Sequence, residues 1–421
     1  MQELKRIINY KRIILLLIAV TVNVVFFLYD NKPVMDEDII NKENVAHETY
    51  IKNYHEEVNA IIDNADKLKK YSIFNKAGSF SYANILQTAR DFERVKNVIL
   101  PEDEYKGVQA YTTYYYQYFF TMLVMMFVIY DMFAQRDNGM WSITYSCANG
   151  RIMYAIKQTR VIVVTGAFTH TLIYWSTFIA AMLQRGGVRD LVNPVQTIET
   201  FDKFTYPWSK IKYVTVLYLI SMVCIVALCI TIWGVFVMFR NRVYALVTML
   251  IFAAVEQFIY SHIDIHSVWN GLHYINIINI ININATFSSY RNWGVGTYVF
   301  PVFSVVLFVH IICAGVIGYI AINVSASMKP YKNTTFIKRF TDCVSAGCQK
   351  ILARIPFLFK EIHKFIFTSH CGWVVVVMLT VTAYVCQTGQ YHYTDDNKYM
   401  DSEYMLHGGK DYTYFQDYLD N

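Results

Sequence analysis

Charged side chains are scarce in this chain. Asp, Glu, Lys and Arg make up 16% of its 421 residues, against 55% hydrophobic. That balance is too apolar for a soluble protein of this length, so dividing the length into soluble domains has no meaning. Phosphate-cradling sequence is lacking as well. No G-x-x-x-x-G-K-[ST] occurs, and Gly408-Gly409-Lys410-Asp411 has neither the upstream Gly nor the hydroxyl. A P-loop ATPase is thereby excluded from these residues. No nucleophile motif stands out either: Ser261 adjoins His262, but adjacency in sequence is not a triad.

What the chain has instead is long apolar runs. A stretch of about 20 apolar residues crosses a hydrocarbon core of roughly 30 Å. Seven runs qualify: Ile13–Tyr29, Tyr114–Phe133, Val161–Leu183, Tyr213–Phe239, Tyr244–His262, Thr297–Val324 and Gly372–Thr388. In lipid each must be helical, because an isolated strand leaves its backbone unpaired. The expected fold is all-α: a polytopic helical membrane protein of about seven transmembrane helices. The first run follows Lys5, Arg6, Lys11 and Arg12 and exits through FFLYDNK, without a small-x-small cleavage site, so it reads as a retained anchor over residues 1–29.

Basic residues orient the spans. With the N-terminus cytoplasmic, segments 1–12, 134–160, 240–243 and 325–371 face inward and hold 18 of the 37 Lys and Arg. Their only acids are Glu3, Asp137, Asp342 and Glu361. The net charge of +5 is then a record of orientation, not a nucleic-acid signal. All eight cysteines fall in spans or inward loops, so no disulfide framework is implied outside. The expected localisation is the plasma membrane, multi-pass.

Segment 30–113 faces outward and is polar, with helical periodicity. Tyr82, Ile85, Leu86, Ala89, Phe92 and Val95 form one stripe, and Tyr54, Val58, Ile61, Ile62 and Leu68 another. A helical extracytoplasmic cap is expected there. Residues 114–324 form a five-helix bundle, 325–371 a basic cytoplasmic linker. Arg240-Asn241-Arg242-Val243 is short enough to force an antiparallel hairpin. From Ile275 to Asn284 the chain is nearly all Ile and Asn, with Asn at 276, 279 and 282. This predicts a helix with a polar stripe, dipping into the outer leaflet or lying on its surface.

Two short echoes point to a repeat. Glu3-Leu4-Lys5-Arg6-Ile7-Ile8 precedes the first span and Glu361-Ile362-His363-Lys364-Phe365-Ile366 the seventh. Thr49-Tyr50-x-x-Asn53-Tyr54 matches Thr413-Tyr414-x-x-Asp417-Tyr418. Residues 372–421 would then open a second unit, and continuation beyond Asn421 or pairing with another chain both remain open. Ionisable residues within spans are few: Asp131, His170, Glu256 and His310. Such residues are costly in lipid and mark function by default; Glu256 is the one expected to face the bundle interior along a pathway. His262, Asp264, His266 and His273 do not share one helical face, so no metal site is expected.

The inward loop between spans two and three is the most telling. Asp137, Gly139, Gly150, Arg151 and Lys157 give D-x-G-x10-G-R-x5-K. This resembles the corresponding loop of ABC-2-type permeases, the membrane subunits of ABC exporters. There an acid and a Gly follow span two, a short helix lies along the membrane, and a Gly/Ser-Arg step leads to a Lys entering the next span. LHYINIINI and YRNWGVGTYVFPVF are similar to the stretch before the last span in a Gram-positive bacterial subset with duplicated six-span halves. The resemblance implies no enzyme activity and no cofactor in this chain. It implies a separate ABC ATPase subunit as partner, a lipid bilayer around the chain, and a second permease chain or half. Asp137, Gly139, Trp141, Gly150, Arg151 and Lys157 would couple to the ATPase, and the cargo would be a peptide, lipid-linked or hydrophobic molecule moved outward. The rival class is a non-transporting sensor or immunity scaffold binding a ligand through its cap; a membrane enzyme ranks last.

Overall fold

A computed structural model describes residues 10–33, 37–70, 78–101, 106–137, 150–239, 241–263, 269–295 and 297–327. The seventh run, the basic linker beyond Ser327 and the second copies of both echoes lie outside these residues. Among the described residues six helices are long and apolar enough to cross a membrane. They are α1 (Tyr10–Asp30), α5 (Tyr116–Asp137), α6 (Ile152–Arg185), α7 (Lys210–Met238), α8 (Arg242–His262) and α12 (Val302–Ala326). The chain is a helical membrane protein. Six of the seven predicted runs correspond to these helices, with ends that move by several residues.

α7 is the axis of the bundle and packs against α5, α6, α8 and α12. Its interior face carries Trp233, Phe236, Cys229 and Tyr213, all buried. α1 and α8 lie at the periphery, with Leu17, Val25, Ile251 and Phe258 exposed; apolar side chains turned outward are what a bilayer solvates. α6 is the longest span, 34 residues. At 1.5 Å per residue it runs about 51 Å, well beyond the roughly 30 Å of a hydrocarbon core.

Two further helices, α2 (Glu37–Leu68) and α3 (Phe80–Glu93), pack on each other away from the spans. The predicted stripes meet here: Tyr54, Val58, Phe92, Val95 and Leu100 form one buried cluster with Ile61 and Ile62 against it. Burying each such side chain stabilises by about 1.5–3 kcal/mol. Ser79 caps α3, its hydroxyl accepting from the Tyr82 amide at 3.2 Å. The pair is tied to the loops at one end of the bundle. Tyr50 donates to the Gln196 carbonyl (2.8 Å), and Lys106 pairs with Glu43.

The strongest tie is Asp91, buried on α3. It accepts from Gln87 (2.9 Å) and from the Tyr290 hydroxyl (3.0 Å), and pairs with Arg94 (3.1 Å). Burial is the main cause that pushes the Tyr290 hydroxyl up to about 12, with the Asp91 charge adding to it. The folded value exceeds the unfolded one of about 10. The attachment through Tyr290 is therefore fully present below pH 10 and lost as pH rises through 12. Tyr290→Phe is expected to loosen α3 by about 1–3 kcal/mol, since it strips a buried acceptor of its partner. Faster amide exchange over residues 80–93 checks this.

The fold departs from the all-helical expectation after α8. The helix expected from Ile275 to Asn284, with one polar stripe, is replaced by three short helices: α9 (Asn270–Ile275), α10 (Ile277–Ile281) and α11 (Ile283–Ser288). A two-stranded antiparallel hairpin follows, β1 (Asn292–Val295) and β2 (Tyr298–Pro301), pairing Asn292 with Pro301 and Val295 with Tyr298. The run expected from Thr297 becomes helical only at Val302, because Pro301 ends the strand and leads α12. The Phe80 ring packs against Gly294, where any Cβ would collide with it. That contact joins α3 to the hairpin.

α4 (Gly107–Thr113) lies within the segment expected as cap, yet it packs against α6 with Gly107, Val108, Tyr111 and Thr112 buried. At the other end of that contact α6 stops at Gly186, whose φ of 70° and ψ of −161° suit glycine alone. Arg185 there donates to the carbonyls of Asn31 (3.0 Å) and Lys32 (2.8 Å), just past α1. One end of α6 is thus bolted to both chain segments that flank α2 and α3.

Candidate functional site

Of the residues expected to couple to a partner, Asp137, Gly150, Arg151 and Lys157 lie at the opposite end of the bundle from α2 and α3. Asp137 is the last residue of α5. Gly139 and Trp141 lie outside the described residues. Gly150 is buried, Arg151 stands exposed at the start of α6 without a side-chain capping bond, and Lys157 is exposed one and a half turns along. Neighbouring cations are anchored to the bundle. Arg136 donates to the Phe236 carbonyl (2.9 Å) and lies on the Phe133 ring, and Arg242 lies on Tyr130. Asp131, one of the four ionisable residues noted in the spans, pairs with Arg12 across α1 and α5. Arg151 and Lys157 thus extend a basic surface from the first turns of the longest helix.

Glu256 has a different place. It is half-buried on α8, about 9 Å from that helix's end at His262, counting 1.5 Å per residue. Its carboxylate accepts from the Ile277 amide at 3.1 Å, and its carbonyl accepts from Asn276 Nδ2 at 2.7 Å. The Ile/Asn segment is therefore fastened to α8 at Glu256.

The asparagines serve this segment by breaking the helix, which is why they recur without forming a stripe. Asn276 is 2% exposed, and its side-chain Oδ1 accepts from the Ile278 amide to cap α10. Asn279 donates to the carbonyls of His273 (2.6 Å) and Tyr274 (3.1 Å), which the broken α9 leaves open. Asn284 donates to the Thr112 carbonyl (2.8 Å) and accepts from Tyr213 (2.6 Å), joining α4 and α7. Irregular backbone packed among apolar helices requires these bonds. Asn276→Ala removes a cap and a bridge together and is expected to cost about 1–2 kcal/mol. Thermal unfolding of the detergent-solubilised protein reads it as a lower midpoint.

Between the spans lies a neutral polar core built around His170, one of the four ionisable residues noted in the spans. His170 Nε2 is 2.8 Å from Ser221 Oγ, and the ring stacks on Tyr118 and Tyr218 at 5.9 and 5.8 Å. Thr171 bonds the Tyr218 hydroxyl at 2.8 Å, and Tyr174 donates to the Val214 carbonyl at 2.7 Å. Asn23 on α1 is fully buried, donating to Thr177 (2.7 Å) and accepting from Tyr114 (3.0 Å). Bonds of this kind between membrane helices contribute about 1 kcal/mol each. The signal for them was present as single polar residues on apolar runs, without spacing to connect them.

A cavity of about 280 Å³ opens at the α2–α3 end of the bundle. Phe204, Tyr206 and Trp208 wall one side, Phe287 and Tyr290 another; Val216 and Ile220 of α7 and Phe303 of α12 form the floor, and Asp91 reaches in from α3. The rings are mutually packed, with Tyr206 stacked on Trp208 at 5.0 Å and Phe287 at 4.7 Å from Phe303. Lys203 and Arg291 line it as well. Among the described residues no group of three or more His, Cys, Asp or Glu is placed to hold a metal ion. His262 and His273 are separately engaged, stacking on Phe258 and Tyr260; Asp264 and His266 lie outside the described residues.

The class these features define is a helical membrane protein with a broken-helix insertion and an aromatic cavity at one end. No family model, characterised protein or solved structure matches this chain.

Proposed function

We propose that the chain is the membrane subunit of an ABC-2-type exporter, worked by an ATPase carried on a separate polypeptide. The observation that carries this reading is α6. It begins at the exposed Arg151 and Lys157, exceeds the length a bilayer requires, and ends bolted to the segments flanking α2 and α3. A rigid helix with such ends transmits a push at one face of the membrane to the other. In this reading the 134–160 segment seats on the ATPase inside the plasma membrane, Asp137, Gly139, Trp141 and Gly150 shaping the seat. The α2–α3 pair is the extracytoplasmic cap, and a peptide, lipid-linked or hydrophobic molecule moves outward. Glu256 acts as a fastener of the Ile/Asn segment at the edge of the pathway. The rival, a ligand-sensing scaffold, draws on the same cavity but leaves the projection of α6 without use. Co-purification from native membranes tests the reading. An ATP-hydrolysing subunit held by the chain supports it; a functional chain that purifies alone contradicts it.

A further inference from the structure

We propose that the 280 Å³ cavity binds the anionic head of a membrane amphiphile, whose alkyl tail runs down the outer faces of α7 and α12. This rests on the exporter reading only for calling the amphiphile a cargo; the binding itself does not.

The charge balance of the walls selects an anion. Asp91 is the acid in the lining, and its carboxylate is matched by Arg94 and bonded by Gln87 and Tyr290. Arg291 has no carboxylate within ion-pair distance among the described residues; its guanidinium rests on Tyr274, 5.5 Å from the ring centre. Lys203 is itself exposed and has only the half-buried Asp202 at 3.8 Å, a contact of little energetic weight. Two cations therefore face the cavity against one acid already compensated. A phosphate or carboxylate meets both with charge-assisted bonds.

The shape selects a tail. At about 30 Å³ per water, the cavity holds roughly nine waters, enough for a headgroup and the start of a chain. Its floor continues onto apolar stripes. Val216 and Ile220 lead at helical spacing to the exposed Val223 on α7, and Ser304 leads to the exposed Phe308 and Ile311 on α12. Trp208 and Tyr206 sit where an aromatic belt marks the headgroup level.

Native mass spectrometry of the full purified chain tests this, with dilauroyl phosphatidylglycerol, dilauroyl phosphatidylcholine and glycerol 3-phosphate as separate probes. Phosphatidylglycerol is expected to be retained about tenfold better than phosphatidylcholine. Lys203→Gln with Arg291→Gln, both surface changes, is expected to erase that preference. Ser304→Trp, which fills the floor without touching a cation, is expected to lower retention of phosphatidylglycerol. Equal retention of both lipids by the wild type, or an unchanged preference in the double variant, overturns the proposal. Glycerol 3-phosphate binding as well as the lipid makes the site one for free phosphate and overturns the tail. No ATPase is present in this experiment, so its failure leaves the exporter reading standing, and failure of co-purification leaves a positive binding result standing.

Discussion

Gly107→Val is expected to leave little folded protein. A Cβ at Gly107 would run into the backbone oxygen of Gly186 and the tip of Met182. A methionine tip can turn aside, but a backbone oxygen cannot. Gly186 closes α6 in a conformation open to glycine alone, so the obstacle is fixed by its own strain. Overpacking of a tight interior costs typically about 1–3 kcal/mol. Here relief requires separating α4 from α6, which also strips Tyr111 and Thr112 of their burial, so the upper end applies. Against a net stability of about 5–15 kcal/mol this is severe. Fluorescence-detected size exclusion should show loss of the monodisperse peak on mild heating. Gly315→Ala is the control. Nothing lies within 4 Å of a Cβ there, and the site is mid-helix, so the change is expected to be neutral or to stabilise by up to about 1 kcal/mol. Equal behaviour of the two variants would remove the α4–α6 junction from the account.

The second large effect is functional. Arg151→Glu combined with Lys157→Glu reverses two exposed charges at the start of α6 and is expected to weaken the hold on the ATPase at least tenfold, or about 1.4 kcal/mol. Neither side chain is buried, so the bundle should unfold at its usual temperature. Salt should reproduce part of the loss in the wild type, because exposed charges are screened within about 8 Å at physiological ionic strength. A normal melting curve with lost association separates coupling from folding. If association survives the double reversal and high salt alike, those two positions do no more than hold topology.

The membrane helices were legible because a bilayer imposes one rule on every span: length and apolarity must be continuous. The stripes on α2 and α3 were legible for a related reason, since one face must be buried and the period is that of a helix. The Ile/Asn segment shows where such reasoning stops. Asn276, Asn279 and Asn282 recur every three residues, and periodicity alone reads them as a face. Asn276 and Asn279 instead cap a helix and satisfy carbonyls of residues five to twenty positions away. Tertiary bonds decide between the two, and a one-dimensional pattern does not contain them. Glu256 was legible as an unusual residue but not as a fastener, because its partner at Ile277 is a backbone amide that leaves no trace in sequence. The same holds for Gly107 and Gly186, 79 residues apart, whose meeting requires α4 and the end of α6 to be placed first. The aromatic cavity was hidden among 62 Phe and Tyr residues; only their convergence distinguishes Phe204, Trp208 and Phe287 from the rest.

In the proposed function, force enters at the beginning of α6 from another polypeptide. A photo-crosslinking residue placed at position 151 or 157, activated in native membranes, tests this most directly, with the adduct identified by mass spectrometry. The account predicts an ATP-binding subunit joined to the chain, formed without access from outside the cell. Adducts with lipid alone, or labelling of the same positions by a membrane-impermeant reagent added outside, would contradict it.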